Sequence, residues 1–278
     1  MSQCQCYKSL KQQTVQCHHA AKSPDYQYCG IHQGKCHTHV NWDEPKVVPV
    51  TKVVPVTPTV ISQLDDMVRI GQKRPRGVKG AIDASITGYK NIDVTNGSFN
   101  LVYGISANTL SPMKLGPYTD SSGLTANIFE NYWKYSKMWS TAGHILNDEP
   151  TDAWYRFRDQ GFKSNKGKRR PLPKKQYGVA HCAYFNGRSY DYLTSRKQIY
   201  APLYHSLIKD LLIIDALKKL IISGQKVMIL DVDDPPLSLY PQGLPMTQAV
   251  LDQIVDDTSH PFGHGYVVAS LLVGLPKI

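Results

Sequence analysis

The sequence predicts an α+β fold in which several helices surround a small sheet. Two stretches, 125–139 and 194–222, repeat apolar residues at the helical spacing of three to four positions. The run 226–232 is instead apolar at every position except Lys226 and Asp231 and is rich in branched residues, which is typical of a buried strand. Apolar residues make up 41% of the chain and charged residues only 19%, so most of it should fold around a core.

The charge of the chain indicates the kind of partner it has. Its 278 residues carry a formal net charge of +10, which favours an anionic partner such as a nucleotide, nucleic acid or anionic lipid. The longest apolar run, near 211–214, is too short to cross a bilayer, so the sequence predicts no membrane span. The first ten residues lack the apolar stretch of a secretory signal, which predicts an intracellular location.

The cysteines are concentrated at the N-terminus, where five of the six lie within the first 36 residues. Without a secretory signal, metal binding explains them better than disulfides do. Three thiolates and one imidazole complete the tetrahedral shell of a structural Zn²⁺, and such an ion supplies the folding energy of a very small module. The predicted zinc ligands of a module at 1–40 are Cys6, Cys17, Cys29 and His32.

A resemblance supports this ligand set. Residues 28–32, Tyr-Cys-Gly-Ile-His, resemble the small zinc-binding modules of the form C…C…YCxxH at the ends of giant-virus and phage proteins. The likeness points to a viral protein. For such a protein the expected location is either the cytoplasm or the virion. Cys4 is an alternative to Cys6, and Cys36 or His37 to His32. An unfolded tail with unliganded cysteines is the alternative to the whole module.

Residues 41–80 are predicted to be a linker. The unit KVVPVT occurs twice, starting at Lys46 and at Lys52. Frequent proline prevents a helix or a central strand, which favours an extended, polyproline-like spacer, with an edge strand as the alternative. The basic cluster 72–79 that follows either contacts phosphate or is a solvated loop.

The main domain is predicted to span 81–278 and to begin with a β-hairpin. Strand-like runs at 92–94 and 99–105 flank Asn96-Gly97, which is a strong turn signal. A loop over 106–123 precedes the helix 125–139, for which Thr125 suits the N-cap.

A basic loop over 143–180 is predicted next, inserted between the helices of the domain. The remaining predicted elements are a long helix over 194–222, the strand 226–232 and a last helix over 265–275.

The helix 125–139 carries the residues best suited to chemistry. Glu130 and Lys137 are predicted to share one face with Trp133, about 10 Å apart for a rise of about 1.5 Å per residue. A carboxylate among aromatic rings suits a flat heterocycle joined to a sugar. The alternative is a core-packing helix whose Glu130 pairs with Lys134 at the surface.

The segment 130–138, ENYWKYSKM, resembles the signature helix of the NADAR family, in which a glutamate precedes aromatic residues and a lysine follows seven positions later. Further likenesses run in the family's order over roughly 100–275. They are the loop 108–112, the Gly187-Arg188 step, the helix led by Arg196, the Leu-rich helix 217–224, the strand 227–231 and the helix led by Gly265. The resemblance implies a compact NADAR-like domain that hydrolyses an N-glycosidic bond in an ADP-ribose adduct or a riboflavin-pathway intermediate.

The chain departs from the family pattern at three places. Asn131 follows the glutamate, where the family usually has histidine. The Trp-Gly step expected before the last helix is missing, and 233–236, Asp-Asp-Pro-Pro, stands near its place. The basic segment 143–180 looks like an insertion.

The resemblance also implies site residues. Glu130 is expected to stabilise the oxocarbenium-like transition state or to activate water, with Asp231 and Asp233 as candidate second carboxylates or, alternatively, as acids that cap a turn. The predicted substrate-binding residues are Trp133, Lys137, Arg188, Arg196, Tyr132 and Gly265. The cationic members of this set are expected to hold phosphate oxygens.

Two classes of function follow. The first is an N-glycosidase-like hydrolase acting on an ADP-ribose-type or nucleotide-derived bond, with the zinc module used for docking. The alternative is a non-catalytic nucleic-acid-binding or virion-associated structural protein that keeps the fold. The basic segment 163–175, with Lys168, Arg169 and Arg170, favours nucleic acid through counterion release, unless it is only a solvated loop.

Overall fold

The computed structural model describes residues 66–73, 88–234, 240 and 242–276. This part of the chain has a mixed α+β fold, as the sequence predicts. The four predicted zinc ligands and both copies of KVVPVT lie outside the described residues, so the zinc module and most of the predicted linker stay predictions.

The strands and helices follow one another in short elements. The strands are β1 (Val68–Gln72), β2 (Tyr89–Asp93), β3 (Leu101–Val102), β4 (Ile105–Ser106), β5 (Tyr118–Thr119), β6 (Thr125–Ala126), β7 (Lys137–Met138), β8 (Ile145–Leu146), β9 (Glu149–Pro150), β10 (Cys182–Phe185), β11 (Arg188–Tyr190), β12 (Lys226–Asp231) and β13 (Leu244–Pro245). The α-helices are α1 (Phe129–Tyr135), α2 (Asp152–Phe162), α3 (Leu172–Tyr177), α4 (Tyr192–Ser195), α5 (Ala201–Ile208), α6 (Leu212–Ile222), α7 (Gln248–Asp256) and α8 (His264–Leu272).

The largest sheet has four strands in the order β13-β1-β12-β2. Both β1 and β2 run parallel to the central strand β12, and β13 runs antiparallel to β1. Strand β12 is buried along nearly all its length, as its apolar run predicts. Because the three parallel strands end at the same edge, the residues that follow Gln72, Asp93 and Asp231 meet there.

The sheet differs from the sequence prediction in two ways. Strand β1 falls within the range predicted to be a linker, so the folded domain takes in residues before 81. The predicted hairpin around Asn96-Gly97 is wrong, because β2 pairs with β12 while β3 pairs with β4. Pairing with the central strand buries Ile92 completely, whereas an isolated two-stranded hairpin leaves such a side chain partly in water.

The helix predicted over 125–139 is shorter than expected. Strand pairing replaces helical hydrogen bonds at both of its ends, where Thr125–Ala126 pairs with β5 and Lys137–Met138 pairs with β10. Only Phe129–Tyr135 is helical. The predicted N-cap at Thr125 is therefore wrong.

The later helices also carry interruptions that the periodicity of 194–222 does not reveal. A π-helical turn, Arg196–Tyr200, joins α4 to α5. The helix is interrupted a second time between the end of α5 at Ile208 and the start of α6 at Leu212. The last helix, α8, begins one residue earlier and ends three residues earlier than predicted.

The basic segment 143–180, predicted to be a loop, contains the helices α2 and α3. The hydroxyl of Thr151 caps α2 by accepting from the backbone N–H of Trp154 at 3.4 Å. Trp154 and Phe162 are buried, and the Phe162 ring lies 5.4 Å from that of Tyr132. The segment is therefore packed against the domain.

One hydrophobic cluster joins the main sheet to the helices around it. Helix α8 is buried at all but one of its nine residues and contacts both β1 and β12. In the described ranges, no helix combines the length and apolar character needed to cross a membrane.

Candidate functional site

A pocket of about 310 Å³ lies near the carboxyl-terminal edge of the main sheet. Its walls come from α1 and β7, from the basic segment, from the helical stretch 192–200, and from the loop 258–262. Asp233, two residues beyond the end of β12, also lines it. Ligands bind at this edge of open parallel sheets because the loops diverge there and leave a crevice.

The lining of the pocket is strongly cationic. Its positively charged side chains are those of Lys134, Lys137, Arg169, Arg170, Lys174 and Arg196. Among the described lining residues the only carboxylate is that of Asp233, which pairs with Arg169 at 2.6 Å. Such an excess of positive charge raises the local concentration of anions and favours an anionic ligand.

Lys137 lines the pocket, as its predicted binding role requires, but it lies on β7 and not on the helix of Glu130. The predicted shared helix face is therefore wrong. The Lys137 amine is 4.4 Å from the centroid of the Trp133 ring and 5.4 Å from that of Tyr192. Burial, followed by repulsion from nearby cations including Lys134, holds the pKa of Lys137 well below its usual range. This amine therefore gives up its proton more readily than an ordinary lysine does.

Glu130 is buried, with 6% of its surface exposed. Its carboxylate lies 3.4 Å from the amine of Lys134, so the ion pair exists but is not the open surface pair that the alternative interpretation expects. Glu130 does not itself line the pocket, whereas Lys134 does. Its charge still acts on the pocket, because it opposes the lowering of the Lys137 pKa and, after burial, helps to raise the pKa of Tyr200.

Asp231 ends β12 and is tied to helix α8. Its Oδ2 pairs with Nδ1 of His264 at 2.8 Å and accepts from the backbone N–H of Gly265 at 3.2 Å. The other ring nitrogen of His264 lies 3.0 Å from the carbonyl of Val94, at the end of β2. Asp231 therefore joins the last helix to the sheet and does not line the pocket.

The pKa values of this pair move in opposite directions. Burial alone raises the pKa of Asp231, but the charge and hydrogen bond of His264 bring it below its ordinary value. Burial alone lowers the pKa of His264, but Asp231 raises it above its ordinary value. The two groups therefore form a buried ion pair.

Asp234 is also buried, at 2% exposure, but lacks such a partner. Within the described part of the chain, neither of its carboxyl oxygens meets a hydrogen-bond partner at good geometry. Burial, followed by repulsion from Asp231 and Asp233, raises the pKa of Asp234 well above its ordinary value. A Cβ at Gly265 would collide with its carboxyl group, so Gly265 serves close packing and is not part of the pocket lining.

Arg196 lies in the π-helical turn and is 1% exposed. Its terminal nitrogens donate to the backbone carbonyls of Ile254, Val255, Asp257 and His260 at 2.8–3.2 Å. These bonds engage both terminal nitrogens of the guanidinium, while its buried Nε meets no hydrogen-bond partner in the described part of the chain. Arg196, expected to hold phosphate, instead fixes the end of α7 and the following loop, which forms one wall of the pocket.

Asn131, where the resemblance expects histidine, is completely buried and holds the basic segment. Its side-chain amide donates to the carbonyls of Ser164 at 3.1 Å and Lys166 at 3.0 Å. Its carbonyl oxygen accepts from the backbone N–H of Lys168 at 2.9 Å. Asn131 therefore uses both ends of its amide to fix the chain immediately before Arg169.

The aromatic residues divide between core and pocket. Tyr132, predicted to bind substrate, is 3% exposed and packs in the core outside the pocket lining. Trp133 lines the pocket but is only 6% exposed, with the Phe185 ring stacked 6.0 Å away. Tyr192, at 36% exposure, is the most open tyrosine, tryptophan or phenylalanine of the described lining, so it is the better candidate for contact with a flat base.

The remaining predicted site residues lie elsewhere. Arg188 is exposed on β11 and does not line the pocket. Within the ranges that the structure describes, no group of three His, Cys, Asp or Glu side chains could hold a metal ion. The structure thus brings Trp133, Lys137, Arg196 and Asp233 together at one pocket, with Glu130 in contact with its wall.

Sequence reasoning missed the pocket roles of Tyr192, of Asn131 and of the loop 258–262. The one available signal for the role of Asn131 was that it stands where the resemblance expects histidine. The structure shows that this asparagine holds the basic segment. No protein-family model, curated protein or solved structure matches this chain.

Proposed function

We propose that the protein hydrolyses the N-glycosidic bond of a phosphorylated, nucleotide-derived ligand of the ADP-ribose type, and that its main domain is NADAR-like. The observation that carries the proposal is the position of Asp233, the one described carboxylate on the lining of a pocket whose other charges are positive. The cations suit phosphate, and the carboxylate suits the positive charge that develops on a ribose during cleavage.

The reaction adds water across the bond between C1′ of the ribose and the nitrogen of the base. Asp233 is placed to take a proton from the attacking water or to stabilise the oxocarbenium-like ribose, while the departing nitrogen gains a proton. The lowered pKa of Lys137 makes its amine a candidate source of that proton.

Glu130 has a supporting role in this arrangement. Its carboxylate contacts Lys134 rather than the pocket space, so it positions a cation of the wall and offsets part of the positive charge around Lys137. Tyr192 offers the most exposed aromatic ring of the lining for the base, although the guanidinium of Arg196 lies 4.6 Å from its centroid, and Asp233 on the same lining is left for the ribose.

The test compares two carboxylate variants of the full chain. Asp233→Asn should lower kcat by about 100-fold or more with little change in binding, because it removes a general base but keeps the shape. Glu130→Gln should lower kcat less than Asp233→Asn does, because Glu130 contacts Lys134 and not the pocket space. Release of free base from ADP-ribose-type N-glycosides is measured by chromatography, and binding of ADP-ribose by calorimetry.

Lys175→Gln is the matched control, since Lys175 is exposed and outside the pocket lining, and its rate should equal that of the unaltered protein. If the unaltered protein binds ADP-ribose but releases no base from any N-glycoside tested, the hydrolase proposal is wrong. The non-catalytic binding protein is then the better description.

A separate prediction concerns the N-terminal module, which we propose holds one structural Zn²⁺ through Cys6, Cys17, Cys29 and His32. Elemental analysis of protein purified without chelator should find about one zinc per chain, and Cys29→Ser should lose most of it. Protein free of zinc would contradict the module. Full zinc retention in the variant would instead mean that Cys29 is not a ligand and that Cys4 or Cys36 belongs to the ligand set.

A further inference from the structure

The basic segment presents its cations in two directions. Arg169, Arg170 and Lys174 line the pocket, whereas Lys163, Lys166 and Lys175 lie outside its lining. A segment that only attracted polyanions would not need this separation. The segment therefore has one part that lines the pocket and another that lies outside it.

The part that reaches the pocket is held by a built set of contacts. Besides the three hydrogen bonds of Asn131, the side-chain amide of Asn127 donates to the carbonyl of Lys163 at 2.9 Å and to Asn165 Oδ1 at 2.8 Å. A Cβ at Gly167 would come within 2.9 Å of the Met113 side chain, so the loop lies close against the preceding chain. These contacts fix the direction in which Arg169 and Arg170 leave the loop.

The pocket cations repel one another. Burial, followed by repulsion from Lys134 and Arg170, lowers the pKa of Lys174. Lys134 and Lys174 act in the same way on Lys137. Charges from α1, β7 and the basic segment therefore converge on one space, and an anion bound there would relieve their repulsion.

Arg169 has one acidic partner, Asp233, but this pair is easily exchanged. The side chains are 41% and 31% exposed, and an ion pair of that exposure contributes little to stability. A phosphate group offers Arg169 a bidentate, more highly charged partner. When Arg169 turns to the phosphate, the carboxylate of Asp233 is freed to face the ribose.

We propose that Arg169, Arg170 and Lys174, positioned by Asn131, form a phosphate subsite that selects ligands with at least two phosphate groups. The inference rests on the proposed function and extends it, because it names what the insertion recognises. The subsite makes a nucleoside diphosphate derivative, rather than a nucleoside or a monophosphate, the preferred ligand class. Asn131 is a positioning residue, since it acts through the loop and does not line the pocket.

The test removes the same number of charges from the two parts of the segment. One full-length variant carries Arg169→Gln, Arg170→Gln and Lys174→Gln. Its matched control carries Lys163→Gln, Lys166→Gln and Lys175→Gln, none of which lines the pocket. Calorimetry at fixed ionic strength measures the affinity of each for ADP-ribose, ribose 5-phosphate, inorganic pyrophosphate and a single-stranded DNA 20-mer.

The pocket variant should lose about tenfold or more in affinity for ADP-ribose and pyrophosphate and distinctly less for ribose 5-phosphate. The control should keep its affinity for all three small ligands within about twofold, because exposed charges act weakly on a distant ligand. Equal losses of affinity in both variants would mean that net charge alone attracts the ligands, and this result would overturn the proposed subsite. DNA as the only probe that binds would overturn it in favour of a nucleic-acid surface.

Asn131→Asp gives a second measurement at the anchor. It keeps the oxygen that accepts from Lys168 and removes the two donors, so it should weaken pyrophosphate binding. Because it also places a carboxyl group against two carbonyls, the affinity is measured on protein that circular dichroism shows to be folded. Unchanged pyrophosphate affinity in that variant would remove Asn131 from the proposal. All these measurements are of binding, so a protein that discriminates phosphates but cleaves no substrate contradicts the hydrolase proposal alone.

Discussion

The two charged walls of the pocket use arginine in different ways. Arg196, on the wall next to α7, is buried and donates to four backbone carbonyls. Arg169, on the wall made by the basic segment, is 41% exposed in its side chain and holds a single carboxylate. The first arginine is committed to the fold, and the second is available to a ligand. Charge type alone therefore does not identify a binding residue; the number of protein partners does.

The acids near the pocket repeat this contrast. Asp231 is engaged by His264 and Gly265, whereas Asp233 reaches the pocket and has only the exchangeable partner Arg169. The surroundings of the two carboxylates differ because Asp231 is the last residue of the buried strand β12, while Asp233 lies two residues beyond its end. Within three residues, the chain changes from an acid engaged by the fold to one that lines the pocket.

The largest expected effect separates the two arginines by stability. Arg196→Gln should lower the free energy of unfolding by about 3 kcal/mol, because the buried carbonyl of Val255 and the partly buried carbonyl of Asp257 lose their charged donor. Arg170→Gln, at the exposed wall, should change it by less than about 0.5 kcal/mol. Urea denaturation followed by circular dichroism measures both, and equal values for the two variants would remove the distinction between the walls.

A smaller, pH-dependent effect is expected at Asp234. Its pKa in the folded protein is raised above 3.8, so the folded state keeps a proton that the unfolded chain releases above that value. Stability from this group is therefore lost as pH rises from about 3.8 towards the folded pKa. Asparagine cannot titrate, so Asp234→Asn should become more stable relative to the unaltered protein as pH rises, by at most about 1.4 kcal/mol per pH unit.

The measurement for Asp234 is the unfolding free energy of both proteins at several pH values between 4 and 8. The His264–Asp231 pair is present in both, so the difference reports the titration of Asp234 together with its repulsion by Asp231. A difference that does not vary with pH would mean that Asp234 is ionised in the folded protein, and it would contradict the raised pKa of this buried acid.

The sequence by itself determined the elements whose residues carry their own pattern. The buried strand β12 and the last helix α8 were predicted nearly to their ends, because continuous burial and helical periodicity are visible locally. The α+β class followed from the same patterns. The excess of positive charge in the chain also followed, since net charge is a property of composition.

Only the tertiary structure decided which residues meet. Strand β1 was placed in a linker and Lys137 in a helix, because the partners that make them strands are distant in the chain. Local reasoning likewise predicted that Arg196 binds a ligand and that the basic segment is a loop. Arg196 is committed by carbonyls about 60 positions away, and the segment is held by Asn131 from more than 30 positions away. Long-range hydrogen bonds decide whether a charge serves the fold or the ligand, and local sequence does not encode them.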